Sequence, residues 1–496
     1  MIVNLLTTQN KFTKIMEHIS GIPREQITLF PEAIEDYITE DNPVRFIDAF
    51  IDRLDMKKLG FEHAILKETG RPPFDPKDLL KVHLYGYLNR IRSSRLLEKE
   101  TKRNLEVIWL TKHVTADHKT ISDFRRENKK AIKGVFKEFF IICKQLGLYG
   151  LELAAIDSSK FKAVNARDKV LDQKQIEKKI AKIEESIDNY LKELEDNDNT
   201  EASEKGVTKE ELNEKIEALK KKKMQLQKSE EELLKTTETH ISLTDNDCRL
   251  IKDNNGIEPS YRMQTAVDSK NMMIIGYQMT PDAADNNHLS EMAKRAKEAL
   301  AVEELTVVSD AGYYDSIEIK ECQDNDIMTY VPIPKQKVSK KTNVPEEEYQ
   351  YDKFLYDEKT DTYICPEGEK LTYKSTYKKN GKNIRIYNTD KCNSCINKNK
   401  CTLSPRGRQI QRWEHAAVID RMRKRLEQKP EIVNHRKTII EHVFGTIKKI
   451  WNYYGLQHRG LENAATEAAL MCLTYNIRRA ISIVGTKQLV ASLQKV

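Results

Sequence analysis

The stretch TVVSDAGYYD, residues 306–315, places an aspartate and a glycine directly after a run of β-branched residues. Residues 305–308 predict a short strand buried on both faces, because a strand with one face in solvent would alternate apolar and polar residues. Asp310 would then stand at the carboxyl end of this strand, where open α/β sheets usually place their functional groups. A polar residue that simply closes the strand before a turn at Gly312 explains the same pattern. A functional role for Asp310 therefore requires acidic partners elsewhere in the chain.

The chain of 496 residues is longer than one ordinary domain, and 39% of its residues are hydrophobic, so several packed units are expected. No stretch approaches the roughly 18 consecutive apolar residues of a transmembrane helix. The N-terminus also lacks the apolar core and small-residue cleavage site of a signal peptide. We therefore expect a cytoplasmic protein, whose eight cysteines are thiols or metal ligands rather than disulfides.

The charges are unevenly placed, although the net charge is only +7. Between Arg71 and Lys133 there are 16 Lys and Arg residues against 8 Asp and Glu, and between Lys370 and Arg412 there are 12 against the single Asp390. Such segments favour a polyanion, because each neutralised phosphate releases condensed counterions. Solvated surface lysines explain either segment alone, whereas the two together favour nucleic acid as the partner.

Residues 1–150 are predicted to be wholly helical. The clearest helix begins in DPKDLLKVHLYGYLNRI, where Asp75 is the expected N-cap and Pro76 the first helical residue. A polar helix is expected to begin near Asp117, and its side chains suit the recognition helix of a helix-turn-helix. A plain helical bundle with a polar face explains this segment equally well. The side chains predicted to contact DNA are Lys119, Thr120, Arg125 and Arg126.

A second aspartate with similar surroundings occurs in LELAAIDSSKFKAV, residues 151–164. The apolar run that ends at Ile156 predicts a buried strand with Asp157 at its centre or exit. Between the two aspartates, the sequence predicts two strands joined by a turn at residues 268–271, followed by a helix over residues 287–301. With a last strand at IMTYVPI, this order predicts a mixed central sheet flanked by helices.

A helical hairpin at about residues 168–237 is predicted to interrupt the sheet. Apolar residues keep a heptad spacing over residues 176–194 and resume it over residues 212–233, after the polar break EDNDNTEASEKG. Thr208 and Glu211 form a capping box at the start of the second arm. This pattern is typical of an antiparallel coiled coil, which is more often a spacer or an arm than a functional site.

A second interruption is the basic, cysteine-rich segment over residues 346–412. Its cysteines come from two separate places in the sequence, and four thiolates suit tetrahedral zinc. The spacing of the last pair is wider than usual in zinc sites, so reduced cysteines without a metal remain an alternative. The candidate zinc ligands are Cys365, Cys392, Cys395 and Cys401, whereas Cys143, Cys248, Cys322 and Cys472 are expected to be packing residues.

The helical pattern in NHRKTIIEHVFGTIKKIW, residues 434–451, offers a third acid. Glu441 and Lys448 are seven residues apart and share the face beside a buried stripe, so a carboxylate would border the core. Arg436 and Lys437 lie about one turn earlier; they would form surface ion pairs or, in a site that handles phosphate, hold a DNA strand. The predicted stripe consists of Ile440, Val443, Phe444, Ile447 and Trp451.

The sequence resembles a known family. Asp157 in LAAIDSSKFKAVNAR, Asp310 in VVSDAGYYD and Glu441 in HRKTIIEHVFGTIK are similar to the three acids of the DDE transposases of bacterial insertion sequences, whose catalytic domain has a ribonuclease H-like fold. GRPPFDPKDLLKVHLYGYLNRIRSSRLLEKE with HKTISDFRREN resembles the helical N-terminal domain of one large group of these enzymes, and the cysteine-rich insertion resembles that group's insertion. The resemblance therefore covers most of the chain.

The helix around Glu441 matches most of the family signature, in which a tyrosine, an arginine, the glutamate and a lysine recur. Arg436 and Lys448 match, with Lys448 at the expected seven-residue step. The tyrosine is absent from its place. The step from Arg436 to Glu441 is one residue longer than the commonest spacing, so Arg436 and Lys437 are interchangeable candidates for the arginine's role.

This resemblance implies a metal-dependent enzyme that acts on double-stranded DNA. Asp157, Asp310 and Glu441 would hold two Mg²⁺ or Mn²⁺ ions, which prefer such hard oxygen ligands and assist in-line displacement at phosphorus. The enzyme would nick DNA at its element's terminal inverted repeats and transfer the freed 3′ ends into target DNA, as a homodimer that holds two ends. Arg436, Lys437 and Lys448 would contact the DNA.

The sequence thus predicts an α+β multidomain protein. A helical DNA-binding domain (1–150) precedes a ribonuclease H-like mixed-sheet core (151–345) with the coiled-coil hairpin, the cysteine-rich insertion (346–412) and a helical C-terminal part of the core (413–496). We expect a bacterial, cytoplasmic, nucleoid-associated transposase. Two alternatives are a transposase-derived DNA-binding regulator without cutting activity and a structural protein organised by the coiled coil. The intact acid triad argues against the first and has no explanation in the second.

Overall fold

The computed structural model describes residues 33–494 except residues 67, 70–71, 200–208, 236–237, 254–255 and 335–345. The part of the predicted helical region before residue 33 lies outside the described residues, and so does Thr208 of the predicted capping box. Within the described residues the chain is a mixed α and β protein, as predicted.

The N-terminal region is helical throughout its described part, as the sequence predicts. Its helices are α1 (Pro43–Asp52), α2 (Met56–Leu59), α3 (Pro76–Leu88), α4 (Ser94–Arg103), α5 (Leu105–Thr111), α6 (His118–Glu127) and α7 (Lys129–Gln145). The two helix starts predicted from capping residues are confirmed. The Asp75 carboxylate accepts a hydrogen bond from the Lys77 N–H at 2.8 Å, and Asp117 accepts from the N–H groups of Lys119 and Thr120.

The central sheet is mixed, as the order of predicted strands requires. Strand β5 pairs antiparallel with β1, β4 and β6, whereas β7 runs parallel to β1 and β8 runs parallel to β7. The sheet therefore combines an antiparallel half with a parallel half, and β1 lies at their junction. Its strands are β1 (Leu153–Lys162), β4 (Arg249–Asp253), β5 (Gly256–Asp268), β6 (Ile274–Thr280), β7 (Leu305–Val308) and β8 (Ile327–Tyr330), with helices α10 (Leu289–Leu300) and α11 (Ser316–Asp324) between them.

Strand β7 is buried, as the sequence predicts. Leu305, Val307 and Val308 of β7 are each at most 2% exposed. Ser316 is the first residue of α11 and not its N-cap. Asp315 caps this helix by accepting a hydrogen bond from the Ile317 N–H at 2.7 Å.

The hairpin consists of two long helices that pack against each other through an apolar cluster of their own. Helix α8 (Gln173–Asn199) follows the short strand β2 (Val170–Leu171), and helix α9 (Lys209–Leu234) precedes the short strand β3 (Ile241–Ser242). The two strands pair with each other. These two strands close the base of the hairpin. The buried residues of the cluster are Leu171, Ile176, Ile183, Leu226 and Leu233.

The cysteine-rich insertion forms a separate five-stranded antiparallel sheet with its own small core. The strand order is β13-β12-β11-β10-β9. The core contains Phe354, Tyr363, Leu371, Tyr387 and Ile410. The elements are β9 (Leu355–Asp357), β10 (Thr362–Ile364), β11 (Lys370–Lys379), β12 (Lys382–Asn388), helix α12 (Lys398–Cys401) and β13 (Ile410–Trp413).

The C-terminal helices pack on the central sheet and on the N-terminal helices. They are α13 (Ala416–Gln428), α14 (Glu431–Phe444), which continues as π-helical turns over Gly445–Ile450, α15 (Leu461–Val484) and α16 (Thr486–Leu493). Helix α14 packs on β1, and α15 packs on α3, α7 and β6. Of the predicted stripe on α14, Ile440, Val443, Ile447 and Trp451 are buried, whereas Phe444 is partly buried.

One hydrophobic core runs from the N-terminal helices through the central sheet to the C-terminal helices. Phe139 of α7, Ile156 of β1 and Leu470 of α15 all belong to it. Among the helices that the structure describes, none combines the length and apolar character needed to cross a membrane.

Candidate active site

Two of the predicted acids lie at the same level, one in β1 and the other just after the parallel strand β7. Ala155 of β1 is paired with Val308 of β7. Asp157 and Asp310 each lie two residues further along, so the parallel register places them side by side at one end of the β1–β7 pair. The charge of Asp310 raises the pKa of Asp157, which is consistent with this proximity. Strand pairing thus brings together residues that are 153 positions apart in the sequence.

Asp157 is a largely buried acid that is paired with a cation. Its side chain is 18% exposed and forms an ion pair with Arg436 of α14. Burial raises the pKa of Asp157 to about 6; the Arg436 guanidinium opposes this shift, and the charges of Asp310 and Asp285 add to it. The ionised form of Asp157 is therefore held at an energetic cost that a further cation would relieve.

Asp310 closes the turn that the sequence indicates. Its carboxylate accepts a hydrogen bond from the Gly312 N–H at 2.9 Å and so caps the short 3₁₀ turn Ala311–Tyr313. A Cβ on Gly312 would lie only 3.0 Å from Asp310 Oδ1 and 3.6 Å from Asp285 Oδ2. The glycine therefore leaves room for two carboxylates to approach the same turn.

Asp285 is the functional candidate that sequence reasoning missed. It lies in the loop between β6 and α10, and its carboxylate accepts hydrogen bonds from Ser158 Oγ at 2.5 Å, Arg262 Nη1 at 2.9 Å and Gln264 Nε2 at 3.1 Å. The acidic stretch PDAADNNHL after a predicted strand is a signal that points to this loop. The sequence does not rank Asp285 above its neighbour Asp282, because only the folded sheet supplies the three donors.

Glu441 lies on the helix that reaches the site, on its exposed flank. Arg436, five residues earlier on α14, contacts Asp157 directly. The Glu441 side chain makes no hydrogen bond or ion pair with another described residue. The structure therefore brings α14 to the two aspartates without joining the Glu441 carboxylate to either of them.

The basic residues predicted on α14 have different surroundings. Lys437 is exposed. The Lys448 ammonium donates a hydrogen bond to the Lys160 carbonyl and lies 4.8 Å from the centre of the Phe161 ring. Because Arg436 and Lys448 both contact β1 or its side chains, Lys437 is the cation of this set that faces solvent.

The residues predicted on the recognition helix also differ in their exposure to solvent. Lys119 and Arg126 of α6 are exposed, and Thr120 hydrogen-bonds to the capping Asp117. Arg125 is only 6% exposed, and its guanidinium donates a hydrogen bond to His458, which in turn contacts the buried Glu467 of α15. The DNA contact predicted for Arg125 does not fit this position, because its charged group is used to join α6 to the C-terminal region.

The four candidate zinc ligands meet in the insertion. Cys365, Cys392, Cys395 and Cys401 line one small pocket beside the insertion's core. Burial raises the pKa of the Cys401 thiol, and the other three cysteines of the pocket add to the shift. The four remaining cysteines are buried, as expected of packing residues: Cys143, Cys248, Cys322 and Cys472.

The described residues contain no group of three or more His, Cys, Asp or Glu side chains already arranged as metal ligands. The aspartates nevertheless fit a divalent ion in kind. Asp157, Asp285 and Asp310 interact as like charges, and carboxylate oxygens are the ligands that Mg²⁺ and Mn²⁺ prefer. Arg436 supplies the positive charge beside Asp157 in this structure.

Comparison with known families agrees with this architecture. Residues 32–127, which span α1 to α6, match the Transposase domain (DUF772), and residues 364–481, from the insertion into α15, match the Transposase DDE domain. The chain is therefore a transposase with a DDE domain. These two matches agree with the resemblance to the DDE transposases of insertion sequences. No curated protein and no solved structure matches it.

The contribution of Asp157 to the stability of the metal-free protein should be lost as the pH rises from about 4 to about 6. The folded state holds the Asp157 proton more tightly than the unfolded state, whose Asp pKa is about 3.9. This contribution is complete below the unfolded pKa and is lost as the pH passes the folded pKa of about 6. Asp157→Asn removes the titration, so its free energy of unfolding relative to wild type should rise by on the order of 2 kcal/mol between pH 4.5 and 7.5.

Urea unfolding with chelator at several pH values measures this difference. Asp282→Asn, which changes a more exposed acid with a histidine partner, is the control. If the difference in the free energy of unfolding between wild type and Asp157→Asn stays constant with pH, the pKa of Asp157 is not raised in the folded protein.

Proposed function

We propose that this transposase binds the terminal inverted repeats of its insertion sequence and catalyses metal-dependent DNA strand cleavage and strand transfer at Asp157, Asp310 and Glu441. The level placement of Asp157 in β1 and of Asp310 just after the parallel strand β7, with α14 packed on β1, carries this proposal. Two acids on strands and a third on a later helix are the arrangement that the family resemblance implies. The mixed sheet that carries them supports a ribonuclease H-like catalytic core.

The protein's own part in the reaction is to hold carboxylates at fixed positions. Asp157 belongs to β1, and Asp310 lies two residues beyond the last residue of β7 that pairs with β1, at the start of the turn that it caps. Glu441 is on the exposed flank of α14, the helix whose Arg436 contacts Asp157, and it is proposed as the third ligand. When bound, a pair of Mg²⁺ or Mn²⁺ ions would supply activation of the attacking oxygen and stabilisation of the leaving oxygen.

The cations near the acids have a separate role. With a divalent ion beside Asp157, the Arg436 guanidinium would no longer be needed as that acid's counter-charge. It would then be available to a phosphate of the DNA strand, which an arginine binds in a bidentate manner. Lys437 and Lys448 would hold the flanking backbone.

Recognition of the DNA ends is proposed for the N-terminal helices. Lys119 and Arg126 present exposed cations on α6, and such side chains suit contacts with the phosphates and bases of duplex DNA. The basic insertion would add phosphate contacts. We propose a homodimer on DNA, because transposition requires two element ends to be held together.

The domain division at 1–150, 151–345, 346–412 and 413–496 belongs to the same proposal, with α8 and α9 packed as a coiled-coil arm. A regulator that binds DNA without cutting it would have no need for two acids held level on neighbouring strands. The convergence of Asp157 and Asp310 therefore favours the enzyme over that alternative.

Replacing any one of Asp157, Asp310 and Glu441 by alanine should abolish strand cleavage while the DNA ends are still bound. Each substitution removes a metal ligand, and losing several kcal/mol of charge stabilisation corresponds to roughly a thousand-fold loss of rate or more. The assay is cleavage of a labelled duplex that carries the element's terminus, with Mg²⁺ or Mn²⁺ and with chelator as control. Glu431→Ala, at the exposed start of the same helix, is the matched control.

Full metal-dependent cleavage by Glu441→Ala together with loss of cleavage in Glu431→Ala would move the third acid to Glu431. If all the alanine variants cleave like wild type, the proposed site is wrong.

Arg126→Ala should weaken binding to the terminal repeats and reduce the salt dependence of binding by about one counterion, if the contact is to a phosphate. Arg125→Ala should instead lower the thermal stability, because it breaks the buried contact with His458. Fluorescence anisotropy over a series of salt concentrations and a thermal unfolding scan measure the two effects. Equal affinity and equal salt slope in Arg126→Ala and wild type would place DNA recognition elsewhere.

We also propose that the pocket of four cysteines in the insertion binds one structural Zn²⁺. Elemental analysis of protein purified without added metal should find about one zinc per chain. Replacing Cys392 and Cys395 together by serine should remove it, whereas Cys322→Ser, at a buried cysteine outside the pocket, should not. Folded protein without zinc would show that the four cysteines are reduced thiols.

A further inference from the structure

The carboxylate of Asp285 is the centre of a polar cluster next to the proposed active site. It accepts hydrogen bonds from one residue of β1, Ser158, and from two residues of β5, Arg262 and Gln264. The Arg262 guanidinium also donates to Ser158 Oγ at 2.9 Å and to the Ala283 carbonyl at 2.6 Å. The loop after β6 is thereby fixed to both strands through one acidic side chain.

One branch of this cluster leads to Asp157. Ser158 is the next residue on β1, and its N–H donates to Asp157 Oδ1 at 2.7 Å. Its hydroxyl donates to Asp285 at 2.5 Å. The same serine therefore contacts the catalytic candidate through its backbone and Asp285 through its side chain.

The other branch leads to Asp310. Gln264 donates to Asp285 and accepts a hydrogen bond from the hydroxyl of the fully buried Tyr313. Tyr313 belongs to the short turn that Asp310 caps. Asp285 is thus connected through one residue on each side to the segments that carry Asp157 and Asp310.

The pairing of β1 with β7 sets the level of the two aspartates, but Asp310 lies two residues beyond the last paired residue. Its position therefore depends on the turn, and Tyr313 is the buried anchor of that turn. Arg262 is the only cation that contacts Asp285 within the described residues, and both side chains are largely buried, at 16% and 15% exposed. Such a pair holds its geometry more firmly than a surface ion pair does.

We propose that Asp285 is a positioning residue of the transposase site, which sets the separation of Asp157 and Asp310 and thereby the affinity of the site for divalent metal. This inference rests on the proposed function. Carboxylates that ligate a metal must be held by a shell of supporting hydrogen bonds, and removal of such supporting groups commonly weakens metal binding by about 10–100-fold.

The test measures metal binding directly and does not depend on activity alone. Mn²⁺ binding to the full-length protein is titrated by calorimetry for wild type, Asp285→Ala and Asp285→Asn. We expect Asp285→Ala to weaken Mn²⁺ binding by about ten-fold or more, and Asp285→Asn to have a smaller effect because it keeps one oxygen acceptor. The Mg²⁺ concentration for half-maximal cleavage should shift in the same direction, with unchanged affinity for the DNA ends.

Asp282→Asn is the matched control in the same loop, since Asp282 contacts His288 and none of the residues of the cluster. Its Mn²⁺ affinity should equal that of wild type. Unchanged Mn²⁺ affinity in folded Asp285→Asn and Asp285→Ala, or an equal loss in Asp282→Asn, would overturn the inference.

Ser158→Ala separates a positioning role from direct ligation. It leaves the Asp285 carboxylate in place but removes its link to β1, so a positioning role predicts weaker Mn²⁺ binding in this variant as well. Normal binding in Ser158→Ala with loss in Asp285→Ala would make Asp285 a metal ligand and overturn the positioning role. Loss of Mn²⁺ binding in Asp157→Ala with normal binding in both Asp285 variants would overturn this inference alone, whereas normal binding in every variant would overturn the proposed site.

Discussion

The parallel pairing of β1 with β7 is the constraint on which the rest of the structure depends. In the sequence the two strands are separated by the hairpin and by three other strands of the sheet. In the fold they are neighbours, and the pairing of Ala155 with Val308 sets the level of Asp157 relative to Asp310. A shift of one residue in this register would move one carboxylate along its strand and turn alternate side chains to the other face.

The second layer of the arrangement is the contact of α14 with β1. The buried stripe of this helix packs on the sheet, and this packing places Arg436 next to Asp157. Burial of an acid between two other acids is unfavourable for stability, and an ion pair offsets part of that cost. Strained electrostatics of this kind commonly mark a functional site. Helix α15 then joins this region to the N-terminal helices, where Arg125, His458 and Glu467 form a buried polar contact.

The two interruptions of the core are tolerated because each has its own packing. The hairpin buries an apolar cluster between α8 and α9 and is closed at its base by β2 and β3. The insertion encloses an aromatic core under a five-stranded sheet, with the four cysteines at its edge. Neither has to contribute to the hydrophobic core of the central sheet. Long insertions at such places add little loop-closure entropy, so the sheet retains its register around them.

The sequence by itself determined the local elements, because hydrophobic period and capping residues act within a few positions. The strand around Asp157, the buried β7, the helix that begins after Asp75 and the buried stripe of α14 could all be predicted in this way. Only the tertiary structure decided which side chains meet. The sequence did not distinguish Arg125, which is buried against His458, from the exposed Arg126, and it did not indicate Asp285, whose partners come from β1 and β5. Such contacts depend on which distant strands and helices pack together, and the spacing of residues along the chain does not predict that packing.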